Sequence, residues 1–167
     1  AHLHTAPVVA AMLIVYGVAF LLVERRYQGR HLAVDTVDHM DWRTAVGIGL
    51  FQCLSLIPGT SRSGSTILGG ILLGASRSAA AEFSFFMAIP TMLGASGIKL
   101  LKFFMTGVGF AGPEIAVLLV GCAVSFLVSL LVIRGLMNYV RNHSFSAFGV
   151  YRIVLGILVL AYFAIAK

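Results

Sequence analysis

Leu56-Ile57-Pro58-Gly59-Thr60-Ser61-Arg62-Ser63-Gly64-Ser65-Thr66 gathers hydroxyls, glycines and one arginine inside an otherwise apolar run. Pro58 and Gly59 end any helix arriving from Trp42. Ser61 or Ser63 can then cap a new helix beginning near Gly64. A helix start leaves backbone N–H groups without intrahelical partners, here beside hydroxyl donors and a guanidinium. That combination suits a phosphate. Within a membrane, irregular backbone of this kind is tolerated only where protein buries it or a wet cavity faces it.

The flanking pieces, Ala45–Ile57 and Thr66–Ala75, are apolar. Each is too short to cross about 30 Å of hydrocarbon at about 1.5 Å per residue. Joined by the break, they predict a re-entrant helical hairpin over residues 42–75. Short interrupted segments point to an intramembrane binding site. Further out, Ala6–Val23, Ala79–Gly97, Glu114–Ile133 and Ser146–Ala166 are long enough to span, with Pro90 as an expected kink. Glu24–Asp41 is a polar loop, and Ser96–Pro113 is expected as a loop or interfacial segment. The fold class is therefore an all-α integral membrane protein, with about four transmembrane helices plus one re-entrant hairpin. Residues 1–167 form a single transmembrane domain. A re-entering hairpin puts Arg25, Arg26, Arg30, Arg43, Arg77, Arg134 and Arg141 on one side, against Lys99, Lys102 and Lys167 on the other. The Arg-rich side is then cytoplasmic.

Composition agrees. The chain is 59% hydrophobic and only 11% charged, with a mean hydropathy of +0.98. No polar block is large enough for a separate soluble domain. A net charge of +6 and a pI near 9.8 raise nucleic acid as a partner. The basic residues, however, sit between apolar segments as membrane-flanking residues do, so nucleic acid is excluded. The sequence opens at Ala1 without Met or signal peptide and reads as a fragment of a longer protein. Cys53 and Cys122 lie in apolar runs and read as small core residues.

Arg62 is the foremost candidate, because an arginine at membrane depth is costly and normally paired or functional. Its plainer role is to hold carbonyls at a helix break. Ser61, Ser63, Gly64 and Thr66 complete the candidate substrate-binding set, with Ser61 and Arg62 as catalytic candidates. Capping or back-bonding is the plainer reading of the hydroxyls. Glu82 and Arg152 read as structural, snorkelling or paired with each other across helices. Gln52 is expected to hydrogen-bond across helices, and Gly69, Gly70 and Gly74 to permit close contact in the hairpin. His31, His39 and His143 have no ligand spacing. No His or carboxylate cluster accompanies the Ser-Arg motif, so the chain offers anion binding without an evident proton-transfer group.

Pro58-Gly59-Thr60-Ser61-Arg62-Ser63-Gly64-Ser65-Thr66 resembles the Pro-Gly-x-Ser-Arg-Ser-x-x-Thr pattern of bacterial undecaprenyl pyrophosphate phosphatases, the bacitracin-resistance family. Phe51-Gln52-Cys53, Glu82-Phe83-Ser84-Phe85 and Tyr151-Arg152 extend the likeness along nearly the whole chain. The resemblance implies a multi-pass enzyme of the bacterial inner membrane. Such an enzyme removes the terminal phosphate of the polyprenyl pyrophosphate carrier of cell-wall synthesis. It also implies a fold of two inverted repeats, each with a re-entrant hairpin, and a divalent cation, Mg or Ca. The family's acidic Glu-x-x-x-Glu motif and its nearby Ser and His have no match here. The chain therefore resembles the C-terminal half alone, lacking the acidic half of the site and inactive by itself. The expected partners are the lipid substrate, the membrane, the missing N-terminal half and a second copy as a homodimer. The alternative from another class is a polyprenyl-phosphate transporter or flippase, since broken helices at midplane are transporter features. An acid-phosphatase-like lipid phosphatase is disfavoured because no Asp follows His143.

Overall fold

The computed structural model describes residues 6–27, 33–107 and 112–165. Arg30, His31 and Lys167 lie outside the described residues. Among the described residues there is no strand, only one isolated parallel bridge between Val34 and Ala75. The helices are α1 (Ala6–Tyr27), α2 (Trp42–Cys53), α3 (Arg62–Leu72), α4 (Arg77–Met105), α5 (Gly112–Asn142) and α6 (Ser146–Ile165). Of these, α1, α4, α5 and α6 are long and apolar enough to cross a membrane. The chain is an all-α, multi-pass membrane protein.

It divides into two units, residues 1–84 with 140–167, and residues 85–139. In the first, α1 and α6 run antiparallel with their backbones in near contact. A Cβ on Gly149 would stand 2.9 Å from the Gly17 carbonyl, and one on Gly156 2.9 Å from the Ala10 carbonyl. Hydrocarbon gives apolar helices no solvent-driven reason to associate, so close backbone packing at small residues holds such a pair.

The hairpin packs α2 antiparallel to α3. Leu73 fills the space over Gly47, and Phe51 lies over Gly69. Asp41 caps α2 by accepting the Thr44 N–H at 2.9 Å, and its hydrogen bonding with Thr44 holds the carboxyl below the usual range. At the far end a 3₁₀ turn, Leu54–Leu56, leads into the break, where Thr60 bonds back to the Ile57 carbonyl. Gly59 takes φ +89° with its missing Cβ 2.5 Å from the Val9 carbonyl, so no larger residue fits this turn. The base is stitched by backbone bonds: the Val34 N–H donates to the Gly74 carbonyl at 3.1 Å and the Ser76 N–H to the Val34 carbonyl at 2.8 Å. Helix α3 is the most enclosed element, with Gly64, Ser65, Thr66, Leu68, Gly69, Gly70 and Ile71 all buried.

In the second unit, apolar side chains such as Leu93, Leu101, Val117, Phe126 and Leu131 stand exposed, as side chains facing lipid do. Helix α4 continues through Pro90 to Met105, where a loop is expected from Ser96. Ile98-Lys99-Leu100-Leu101-Lys102 carries it, since these residues other than Ile98 are strong helix formers that offset the nearby glycines. Helix α5 likewise runs past Ile133 to Asn142, because polar residues end the apolar stretch without ending the helix. Cys53 and Cys122 are exposed rather than in the core. In a membrane chain, an apolar run does not separate core-facing from lipid-facing positions.

Candidate functional site

Helix α3 starts at Arg62, two residues earlier than the expected Gly64. Ser61 is its N-cap, with extended backbone and an Oγ that accepts the Gly64 N–H at 3.2 Å. The Ser63 Oγ lies 3.2 Å from the Ser61 Oγ. As the first two helical residues, Arg62 and Ser63 have no carbonyl within the helix for their N–H groups. The partial positive charge of the helix dipole concentrates at that end.

The Arg62 side chain is half-buried, and its Nη1 is buried without a hydrogen-bond partner among the described residues. A second guanidinium arrives from α6. The Nη2 and Nη1 of Arg152 lie 3.2 and 3.3 Å from where a Gly64 Cβ would stand. Any side chain at position 64 would press on it. The Arg152 Cζ sits 5.5 Å from the centroid of the Phe20 ring, and its Nη1 is again buried and without a partner among the described residues. Neither arginine has a carboxylate partner among the described residues. Two guanidinium groups without a carboxylate partner among the described residues thus belong to this end of α3, Arg62 as its first residue and Arg152 beside Gly64. Such an arrangement has the chemistry to receive an anion.

The rest of the motif faces inward. Ser65 and Thr66 are each 1% exposed. The Ser65 Oγ bonds the Tyr16 Oη of α1 at 2.9 Å. The Thr66 Oγ1 lies 2.6 Å from the Ser84 Oγ of α4 and donates back to the Ser63 carbonyl at 3.0 Å. Both hydroxyls tie α3 to its neighbours. Through the Tyr16 contact, and through Gly17 against Ile153, this helix start stands level with the middle of α1.

Arg152 is not on a lipid-facing stripe, nor does it pair with Glu82. It shares a helix face with Gly149 and Gly156, which the packing on α1 turns inward. That spacing of glycines around an arginine is the sequence signal that would have found it. Among the described residues, an ion pair joins Arg77 instead to Glu24. Glu24 is not a loop residue: it is 5% exposed in the last turn of α1, continuing the inward stripe of Tyr16 and Phe20. Gln52 is half-buried, and its carbonyl accepts the Ser55 hydroxyl at 2.6 Å.

The first turn of α3 presents guanidinium, amide and hydroxyl groups. No group of three or more His, Cys, Asp or Glu comes together among the described residues.

Three relatives show how far the sequence match extends. An undecaprenyl-diphosphatase of Enterococcus faecalis is 56% identical over 165 residues, 99% of this chain and 59% of its own length. One of Streptococcus thermophilus is 56% identical, again over 99% of this chain and 57% of its own length. One of Streptococcus mutans is 57% identical over 162 residues, 97% of this chain and 58% of its length. The chain thus spans somewhat over half the length of these curated relatives. A family model described as bacitracin resistance protein BacA matches residues 1–158. These matches do not bear out the expectation that the chain is the C-terminal half alone. With the match running from its first residue across 158 of 167, the chain belongs to the BacA bacitracin-resistance family.

Proposed function

We propose that this chain carries the diphosphate-binding part of a membrane phosphatase that hydrolyses undecaprenyl pyrophosphate. The observation that carries the reading is that a guanidinium nitrogen of Arg62, the first residue of α3, and one of Arg152, beside Gly64, are buried without a hydrogen-bond partner among the described residues. The relatives' name supplies the substrate. A diphosphate monoester brings a concentrated negative charge and many acceptor oxygens. Planar guanidinium forks match those oxygens two at a time. In this role Arg62 and Arg152 clamp the diphosphate, and the amides of Arg62 and Ser63 face it at the positive helix end. With the Ser63 hydroxyl as donor in the Ser61–Ser63 pair, the Ser61 Oγ accepts from it and from the Gly64 N–H, and its own proton is left for a phosphate oxygen. Thr66 acts from behind, fixing the first turn through Ser63 and Ser84. Hydrolysis joins a water oxygen to the terminal phosphorus and breaks its bond to the bridging oxygen, which leaves on the lipid monophosphate. Charge grows on the phosphoryl and bridging oxygens as this happens, and fixed cations lower that barrier.

The test is phosphate release from a polyprenyl pyrophosphate by the protein at its full natural length, purified in detergent. Arg62→Lys keeps the charge and loses the fork, and is expected to lower kcat/KM by about 100-fold or more while the protein still inserts. Near-normal release by that variant overturns the clamp. Lipid movement across a bilayer without any phosphate release would favour a flippase.

A further inference from the structure

Arg152 carries a positive charge into a membrane-level interior with no carboxylate beside it among the described residues. What stands against it is a ring. The Arg152 Cζ lies 5.5 Å from the centroid of Phe20, and Phe20 is only 4% exposed. Its neighbour is Phe145, at 5.9 Å between centroids and 43° tilt, itself 5% exposed. Phe145 in turn meets Phe148 at 5.9 Å. Phe20 and Arg152 are thus one end of an aromatic row that runs from α1 through Phe145, just before α6, to Phe148 on α6, with the guanidinium as its cap.

The choice of partner has a chemical consequence. A carboxylate would neutralise Arg152 and take its N–H donors. An aromatic face attracts the cation through its quadrupole and accepts none of those in-plane hydrogens. We propose that Phe20 is a positioning residue: its π face holds the Arg152 guanidinium over Gly64 while leaving the charge and the N–H edge free for a diphosphate. This inference rests on the reading of the site as a diphosphate clamp. It adds a residue outside the Ser-Arg motif, on a different helix, that acts only through Arg152. Phe20 belongs to α1 and reaches the site through a ring that itself makes no bond to the anion.

The experiment replaces Phe20 by mono-, di- and trifluorophenylalanine in the full-length protein. Fluorination drains the ring's negative face while nearly keeping its size and apolar character. Inorganic pyrophosphate is the binding probe, with polyprenyl pyrophosphate turnover measured alongside. Binding is expected to weaken stepwise, by about tenfold for the trifluoro ring. The loss should appear mainly in KM, with an unchanged melting temperature. Phe20→Trp should retain binding and Phe20→Leu should not. Equal binding across the fluorinated series overturns the proposal, as does a Phe20→Leu protein that melts normally and binds like the parent. The two readings fail differently. If the parent protein binds no pyrophosphate, or if Arg152→Gln binds it normally, the clamp itself is wrong and the role of Phe20 falls with it. If Arg152→Gln loses binding while the fluorinated series is flat, the clamp stands and only Phe20 is misassigned.

Discussion

At the scale of single residues, the motif divides into a half that faces the helix start and a half that faces the protein. Ser61, Arg62 and Ser63 surround the exposed end of α3, while Ser65 and Thr66 are spent on Tyr16 and Ser84. Sequence alone could place all five near one another, because they fall within six residues. It could not say which hydroxyls turn inward, since that depends on what α1 and α4 bring. Thr66→Val keeps the shape and removes one member of a buried hydroxyl pair. It should destabilise the protein by about 1–3 kcal/mol, through the unsatisfied Ser84 left behind. Thermal melting in detergent reads this. Diphosphate affinity, measured separately, should change far less than on Arg62→Lys. Arg152 was hidden for a related reason. A search for its partner looks for an opposite charge and finds Glu82, whereas the structure compensates the cation with Phe20.

At the scale of elements, the hairpin was the most legible part. Its helices are too short to span, and Pro58 and Gly59 mark the break on their own. The long helices were legible in number and less so in extent: α4 and α5 outrun their apolar cores, because helix propensity continues where hydrophobicity stops. The pairing of α1 with α6 was not visible as such, although its instrument was, in the small residues at Ala10, Gly17, Gly149 and Gly156. Their contacts make a specific expectation. Gly149→Leu places a side chain where a Cβ alone already meets the Gly17 carbonyl at 2.9 Å. The helices must separate, at a cost of about 1–3 kcal/mol or more. Because Arg152 rides on α6 within one turn of this contact, diphosphate binding should fall together with melting temperature. Gly121→Leu, at a position with open space around it, should leave both unchanged.

At the scale of the whole molecule, function is held by ties between elements far apart in sequence. One such tie is the ion pair between Glu24 at the end of α1 and Arg77 at the start of α4. Neither member belongs to the Ser-Arg motif, and the pair should matter for stability rather than chemistry. Glu24→Gln is expected to destabilise by about 1–3 kcal/mol, because Arg77 loses a charge-assisted bond. Glu24→Leu combined with Arg77→Leu should recover part of that loss. Melting of the two variants checks this, with turnover per folded molecule near normal in both. Sequence placed Glu24 in a loop because a charge after an apolar run looks like the end of a span. The helix simply continues, and the same face stays buried. A last consequence follows from the stitch at the base of the hairpin, where Val34, Gly74 and Ser76 are bonded together. With its foot fixed there and its working end beside Arg152, the hairpin is a gauge block: its length has to match the ties from Ser65 to Tyr16 and from Thr66 to Ser84 that hold Ser61 and Arg62 in place. One residue inserted in α2 would lift that end by about 1.5 Å and turn it by about 100°, enough to dial the arginine off its mark. One residue added to a surface loop elsewhere would be absorbed without notice.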